Sequence, residues 1–216
     1  MIATPLNSRQ LFNYAKALSL KYLFCLILIF IVGIANAQNI DVRILQSING
    51  PASPSDAQWK DLSGTVSILA VSTPAAIVLT GLATKNKDLT IKGIEIAGAI
   101  AISEGISAGL KYSIKRQRPF DAYPDLIYAH SNPTDPSFPS GHTSVAFATA
   151  TSLSMAFPKW YVIAPSFGYA TAVGYSRLRL GVHYPSDVLA GAVIGAGSSI
   201  LAFKLQKLLN KKHQHS

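Results

Sequence analysis

LSGTVSILAVSTPAAIVLTGLA, residues 62–83, carries no charged side chain over a length close to the roughly 20 residues that cross a bilayer as a helix. Four more apolar segments follow it: Ile91 to Leu110, Thr143 to Phe157, Tyr161 to Tyr175, and Val188 to Phe203. All are rich in Gly, Ala, Ser and Thr, which lets helix backbones approach closely, in a bilayer or in a tight soluble bundle. Only Leu62 to Ala83 and Ile91 to Leu110 approach spanning length; the others need help from polar neighbours or local thinning. The expectation is an all-α fold, a helical bundle of five to six apolar helices embedded in a membrane. Composition agrees: of 216 residues 49% are hydrophobic and only 13% charged, and the mean hydropathy is +0.30.

Loop charges set an orientation. Lys85, Lys87 and Lys92 separate the first two segments, Lys159 separates the third and fourth, and Lys204, Lys207, Lys211 and Lys212 follow the last. If every segment spans, these clusters share the side on which the N-terminus begins, as the positive-inside rule asks. Residues 38–61, 111–142 and 176–187 then fall on the opposite side. Two carboxylates oppose this reading, because Glu95 and Glu104 lie within the second segment, where a charge is costly unless it is paired or faces the protein. Nine residues apart, they share a helix face and are expected to be buried polar contacts within the bundle.

Residues 1–37 read as a targeting segment. Arg9, Lys16 and Lys21 precede the apolar run Tyr22 to Ile34, and Ala35-Asn36-Ala37 has the A-x-A form of a cleavage site. A signal peptide is expected, with an N-terminal signal anchor as the alternative, leaving 38–216 as the functional domain. Within it, Ile40, Ile44, Leu45 and Ile48 have helical spacing, Asn49-Gly50-Pro51 ends that helix, and another starts near Trp59. The net charge of +9 is spread in short clusters without interleaved aromatics, so nucleic acid is not an expected partner. A single cysteine, Cys25, excludes a disulfide within the chain and a cysteine metal site.

The remaining charge is concentrated in three polar stretches. Ser176-Arg177-Leu178-Arg179-Leu180-Gly181-Val182-His183-Tyr184-Pro185-Ser186-Asp187 joins the last two apolar segments. Pro185 suits the first turn of a helix, which places Asp187 in that turn, favoured by the helix dipole and four residues from His183. A carboxylate on one ring nitrogen fixes the tautomer and frees the other nitrogen as nucleophile or base; a solvated loop with a capping aspartate is the plainer alternative. Lys111 to Pro119 closes the second segment, with Lys111 and Arg118 two helical turns apart and able to share a face. Phe138-Pro139-Ser140-Gly141-His142 opens the third, and a helix starting at Gly141 would offer backbone N–H groups to an anion, with Ser140 as cap or contact. Lys111, Arg118 and Arg177 with those donors suit a tetrahedral oxyanion, that is, phosphate.

Lys111-x6-Arg118-Pro119, Pro139-Ser140-Gly141-His142 and Ser176-Arg177-x5-His183-x3-Asp187 together resemble the three-part signature of the type-2 phosphatidic acid phosphatase superfamily, which includes bacterial acid phosphatases, lipid phosphatases and vanadium haloperoxidases. The resemblance covers Lys111 to Asp187 directly, with every signature position filled. It implies that 38–216 is a phosphatase domain in which Lys111, Arg118 and Arg177 hold the phosphoryl oxygens, completed by Ser140 and the Gly141 N–H. By the same resemblance His183 attacks phosphorus, Asp187 orients it, and His142 protonates the leaving alkoxide and then activates water. No metal or other cofactor is implied. The implied substrate is a phosphate monoester or diphosphate of a membrane lipid, hydrolysed at the outer face of a bacterial inner membrane. A soluble periplasmic acid phosphatase of broad specificity for small phosphate esters and a vanadium-dependent haloperoxidase are the alternatives. Arg116 and Arg179 are expected as supporting or surface groups, His130 as incidental, and Phe120, Tyr123, Tyr128, Phe138 and Tyr184 as either pocket lining or core.

Overall fold

The computed structural model describes residues 40–213, so the expected signal segment 1–37 lies outside the described residues. Helices α1 (40–48), α2 (Ser55–Ala83), α3 (Lys87–Ile114), α4 (Pro119–Ala122), α5 (Gly141–Ala156), α6 (Trp160–Arg179) and α7 (Pro185–His213) carry the fold, and no strand occurs among the described residues. The expected all-α bundle is found.

Helix α5 is the central post. Its sequence, GHTSVAFATATSLSMA, has small side chains nearly throughout, and α2, α3, α7 and α6 pack around it. Smallness sets the distance. A Cβ added to Gly195 of α7 would lie 2.2 Å from the Ser144 carbonyl oxygen, and one added to Gly191 would lie 2.6 Å from that of Ser140. Hydroxyls left within this dry contact bond to one another: Ser103 Oγ lies 2.6 Å and Ser107 Oγ 3.0 Å from Ser144 Oγ, tying α3 to α5. Val66, Ile96, Ile100, Val145, Ala148 and Val173 make the apolar core beside them.

Among the described residues three helices, within Ser55–Ala83, Lys87–Ala122 and Pro185–Leu208, are long and apolar enough to cross a membrane. The third exceeds the expectation for Val188 to Phe203, because α7 starts early, at Pro185, and runs on past the Lys204 cluster. Their outer faces carry bare aliphatics, among them Ile68, Val71 and Leu79 on α2 and Leu189 and Val193 on α7. Helices apolar all round in so small a bundle suit lipid contact rather than water.

Helices α2, α5 and α7 begin at one end of the bundle, where α3 and α6 finish. The opposite end holds the turns bearing Lys85, Lys87 and Lys159. Glu95 and Glu104 depart from expectation: neither makes a hydrogen bond or ion pair with another described residue, and Glu104 is exposed at the edge of the cavity described below.

Candidate active site

The three polar stretches meet where α3 and α6 end. Helix α3 stops because Lys115 turns left-handed, at φ 51°, with its N–H bonded 2.9 Å from the Lys111 carbonyl oxygen. Arg118 then takes an extended backbone, as a residue before proline prefers, and Pro119 opens α4. Lys111 and Arg118 therefore do not share a helix face as their spacing suggested. They converge because the chain reverses between them. Both reach Asp135, Lys111 Nζ at 2.6 Å and Arg118 Nη2 at 2.8 Å, while Arg118 Nε donates to the Asp135 carbonyl and Nη1 to that of Val182, each at 2.7 Å.

Arg177 arrives from the last turns of α6. It is 6% exposed and donates from Nη1 to Ser63 Oγ of α2 at 2.9 Å, while its Nε is buried without a hydrogen-bond partner. The turn that follows needs Gly181 at φ 72°, where a Cβ would meet the Tyr128 carbonyl oxygen at 2.3 Å. That turn delivers His183 to the cavity, 2% exposed. Its Nε2 lies 3.4 Å from Arg118 Nη1, and its Nδ1 lies 3.5 Å from Asp187 Oδ2, beside the carboxylate but without a hydrogen bond to it.

Asp187 sits in the first turn of α7 as the sequence indicated, fully buried and held from several sides. Its Oδ2 accepts from the Tyr184 N–H at 2.9 Å and from the Ser137 hydroxyl, and its Oδ1 accepts from Arg116 Nη1 at 2.6 Å. Arg116 also reaches Asp41 of α1 at 2.9 Å and Ser186 Oγ at 2.7 Å, and lies 3.8 Å over the Tyr184 ring. Arg179 instead pairs with Asp56, beside His130, whose ring lies against the Gly50 carbonyl. Ser140 caps no backbone group of α5; its hydroxyl pairs with Thr143 Oγ1 at 2.9 Å, fully buried.

Lys111, Arg118, Arg177, Gly141, His142 and His183 all line one cavity of about 460 Å³. Its apolar flank comes from Val66, Ala70 and Val71 of α2, Ile100 of α3 and Val145 of α5, with Tyr112 at the rim. Phe120, Tyr123, Tyr128, Phe138 and Tyr184 do not line it; Tyr184 is instead packed under Arg116. Burial pushes the Tyr184 hydroxyl up to about 12, so it stays neutral. Burial also pushes His183 down to about 4, helped by Arg118 and Arg177 and opposed by Asp187, so the ring is neutral near pH 7. Partial burial raises Asp135, but hydrogen bonds and charge from Lys111 and then Arg118 outweigh it and bring its carboxyl to about 2. Asp135, Ser137, Asp41 and Ser63 went unnoticed in the sequence, where each looks like any other loop or helix-end polar residue.

Residues 92–211 match the PAP2 superfamily, more than half of the chain and every residue of the cavity's cationic cradle. The chain belongs to the PAP2 superfamily. This PAP2 chain is 33% identical over 114 residues to an undecaprenyl-diphosphatase of Sulfolobus acidocaldarius, covering 53% of this chain and 55% of that protein. It is 32% identical to YbjG of Escherichia coli, over 73% of this chain and 78% of that one. A crystal structure of the first transmembrane PAP2-type phosphatidylglycerolphosphate phosphatase from Bacillus subtilis superposes with a TM-score of 0.64 at 25% identity, covering 86% of this chain and 94% of that one. Membership of this superfamily, together with relatives named as phosphatases, makes the chain a phosphoric-ester hydrolase, and its spanning helices make it a membrane protein.

Proposed function

We propose that this PAP2 chain hydrolyses a terminal phosphate from a membrane lipid, a monoester or diphosphate, through a phosphohistidine on His183. The observation that carries this reading is His183 itself. A buried neutral imidazole has Asp187 behind one nitrogen and the cationic cavity before the other. Once the ring closes the 3.5 Å gap and Nδ1–H donates to Asp187, the Nε2 lone pair is free to attack phosphorus in line with the departing oxygen. Burial, with Arg177 and His183, holds His142 down at about 4, and the negative charge of the phosphate substrate brings its proton. The N–P bond forms as the P–O bond to the lipid breaks, and His142, in the same cavity wall, donates that proton to the leaving alkoxide. His142 then takes a proton from water, whose oxygen attacks phosphorus as the N–P bond breaks, which releases phosphate and restores neutral His183. Lys111, Arg118 and Arg177 stabilise the negative charge on the equatorial oxygens, with the Gly141 N–H at the start of α5. Ser140 joins that cradle on turning its hydroxyl from Thr143.

A lipid leaving group is supported by the cavity's apolar flank and by lipid-facing helices at its side. The relatives and neighbours named above carry undecaprenyl diphosphate and phosphatidylglycerolphosphate in their names, both of which end in a terminal phosphoryl group. The position of the lysine-bearing turns, opposite the site, supports an active site at the outer face of a bacterial inner membrane. Phosphate release from lipid diphosphates, lipid monoesters and soluble phosphate esters tests the reading, measured with wild type and His183→Ala. The expected result is release from one or more lipids by wild type alone. Unchanged release by His183→Ala would remove this mechanism.

A further inference from the structure

Asp135 stands where a substrate phosphate is to bind. Its Oδ2 is 2.6 Å from Lys111 Nζ and its Oδ1 is 2.8 Å from Arg118 Nη2, so its two oxygens hold two of the three cations of the cradle as two phosphoryl oxygens would. The neighbouring Pro136 carbonyl takes a second contact from Lys111, at 2.5 Å. The third cation differs. Arg177 is almost wholly buried, lines the same cavity, and keeps Nε without a partner. One cation therefore keeps an unspent donor, while two are covered by a carboxylate that is 46% exposed and has solvent to swing into.

We infer that Asp135 is a specificity residue that matches charge: it yields Lys111 and Arg118 to a doubly charged terminal phosphate and withholds them from singly charged phosphodiesters. The inference rests on the phosphate-site reading of the preceding subsection. A diester brings one negative charge, the same as the carboxylate it must displace, and the carboxylate is tethered at high effective concentration. A terminal phosphate brings nearly two, and its extra charge falls among three cations. Such a device has a use in a bilayer, where most headgroups surrounding the cavity are phosphodiesters that cannot be turned over but could occupy the cradle.

The test is binding of inorganic phosphate and of dimethyl phosphate, a singly charged diester, to the detergent-solubilised full chain by titration calorimetry at pH 8. Wild type is expected to bind phosphate and to discriminate strongly against the diester. Asp135→Asn keeps the shape and removes the charge. It is expected to bind dimethyl phosphate roughly tenfold to a hundredfold more tightly, the span of one charge-assisted hydrogen bond, and to gain far less for phosphate, so that the preference for the dianion narrows. Weaker binding of both ligands would overturn the inference and make Asp135 a support for Lys111 and Arg118; diester binding that does not change, or an equal gain for both ligands, would overturn it as well. Asp135→Ser is read in the same way if the Asn variant does not fold. Failure of wild type to bind phosphate at all would instead remove the phosphate site on which the inference stands.

Discussion

In the proposed mechanism His183 is the nucleophile, and its surroundings set the pH at which it would work. Burial holds its ring proton affinity down at about 4, so the imidazole is a free base at neutral pH without further help. Activity is expected to fall as the pH drops through about 4 and the nucleophile protonates, visible as the acid limb of a kcat/KM profile. Stability should follow the same group. Between about 4 and the ordinary 6.5 the unfolded chain takes up a proton that the folded chain refuses, so stability rises with pH across that window. Thermal unfolding at pH 5 and pH 7 measures it, and His183→Gln should narrow the difference. Arg177→Ala removes a charge from the transition state and is expected to lower kcat about 10²–10³-fold. His142→Ala is expected to cost about 10²–10⁴-fold, with the loss smaller for substrates whose leaving group needs no proton. Arg116 belongs to a different class of residue, since it bridges Asp187 and Asp41 and does not line the cavity. Arg116→Met strands two carboxylates, and a loss of about 3 kcal/mol of stability is expected in denaturant titrations.

At the scale of elements, the site depends on how tightly α5 and α7 are joined, because α5 carries His142 and α7 carries Asp187. The glycines of α7 are what allow it. A side chain at Gly195 would drive into the Ser144 carbonyl, 2.2 Å from the nearest Cβ position, so the helices would have to separate. Gly195→Val is expected to destabilise the bundle by about 1–3 kcal/mol and to reduce activity through displacement of Asp187. Gly197, on the same helix, has nothing within 4 Å of an added Cβ, and Gly197→Val is the matched control that should leave activity unchanged without destabilising the bundle. The α3 terminus shows where sequence periodicity misleads. Seven residues between Lys111 and Arg118 suggested one helix face, yet the helix ends at Ile114 and Arg118 is aimed by the Pro119 turn. The spacing was informative about chemistry and wrong about geometry.

For the whole molecule, the distribution of charge between the two ends carries the topology. Single-cysteine variants in a Cys25→Ser background, placed at Lys85 or Lys159 on one end and at Asp125 on the other, should label on opposite sides of the membrane with an impermeant maleimide. Labelling of both ends from one side would overturn the proposed orientation.

Apolar run lengths, small-residue content and lysine placement were enough to specify a helical membrane bundle, since those properties depend only on what bilayer and backbone demand of any helix. The three polar motifs likewise named side chains that the fold brings around one cavity, because the proposed phosphate chemistry requires those side chains whatever holds them. Asp135 in the cradle, Ser137, Arg116 and Asp41 behind Asp187, and the unpaired Nε of Arg177 were decided only by the tertiary structure. Each depends on contacts between segments far apart in the chain, and no local spacing encodes which polar groups will share one buried space.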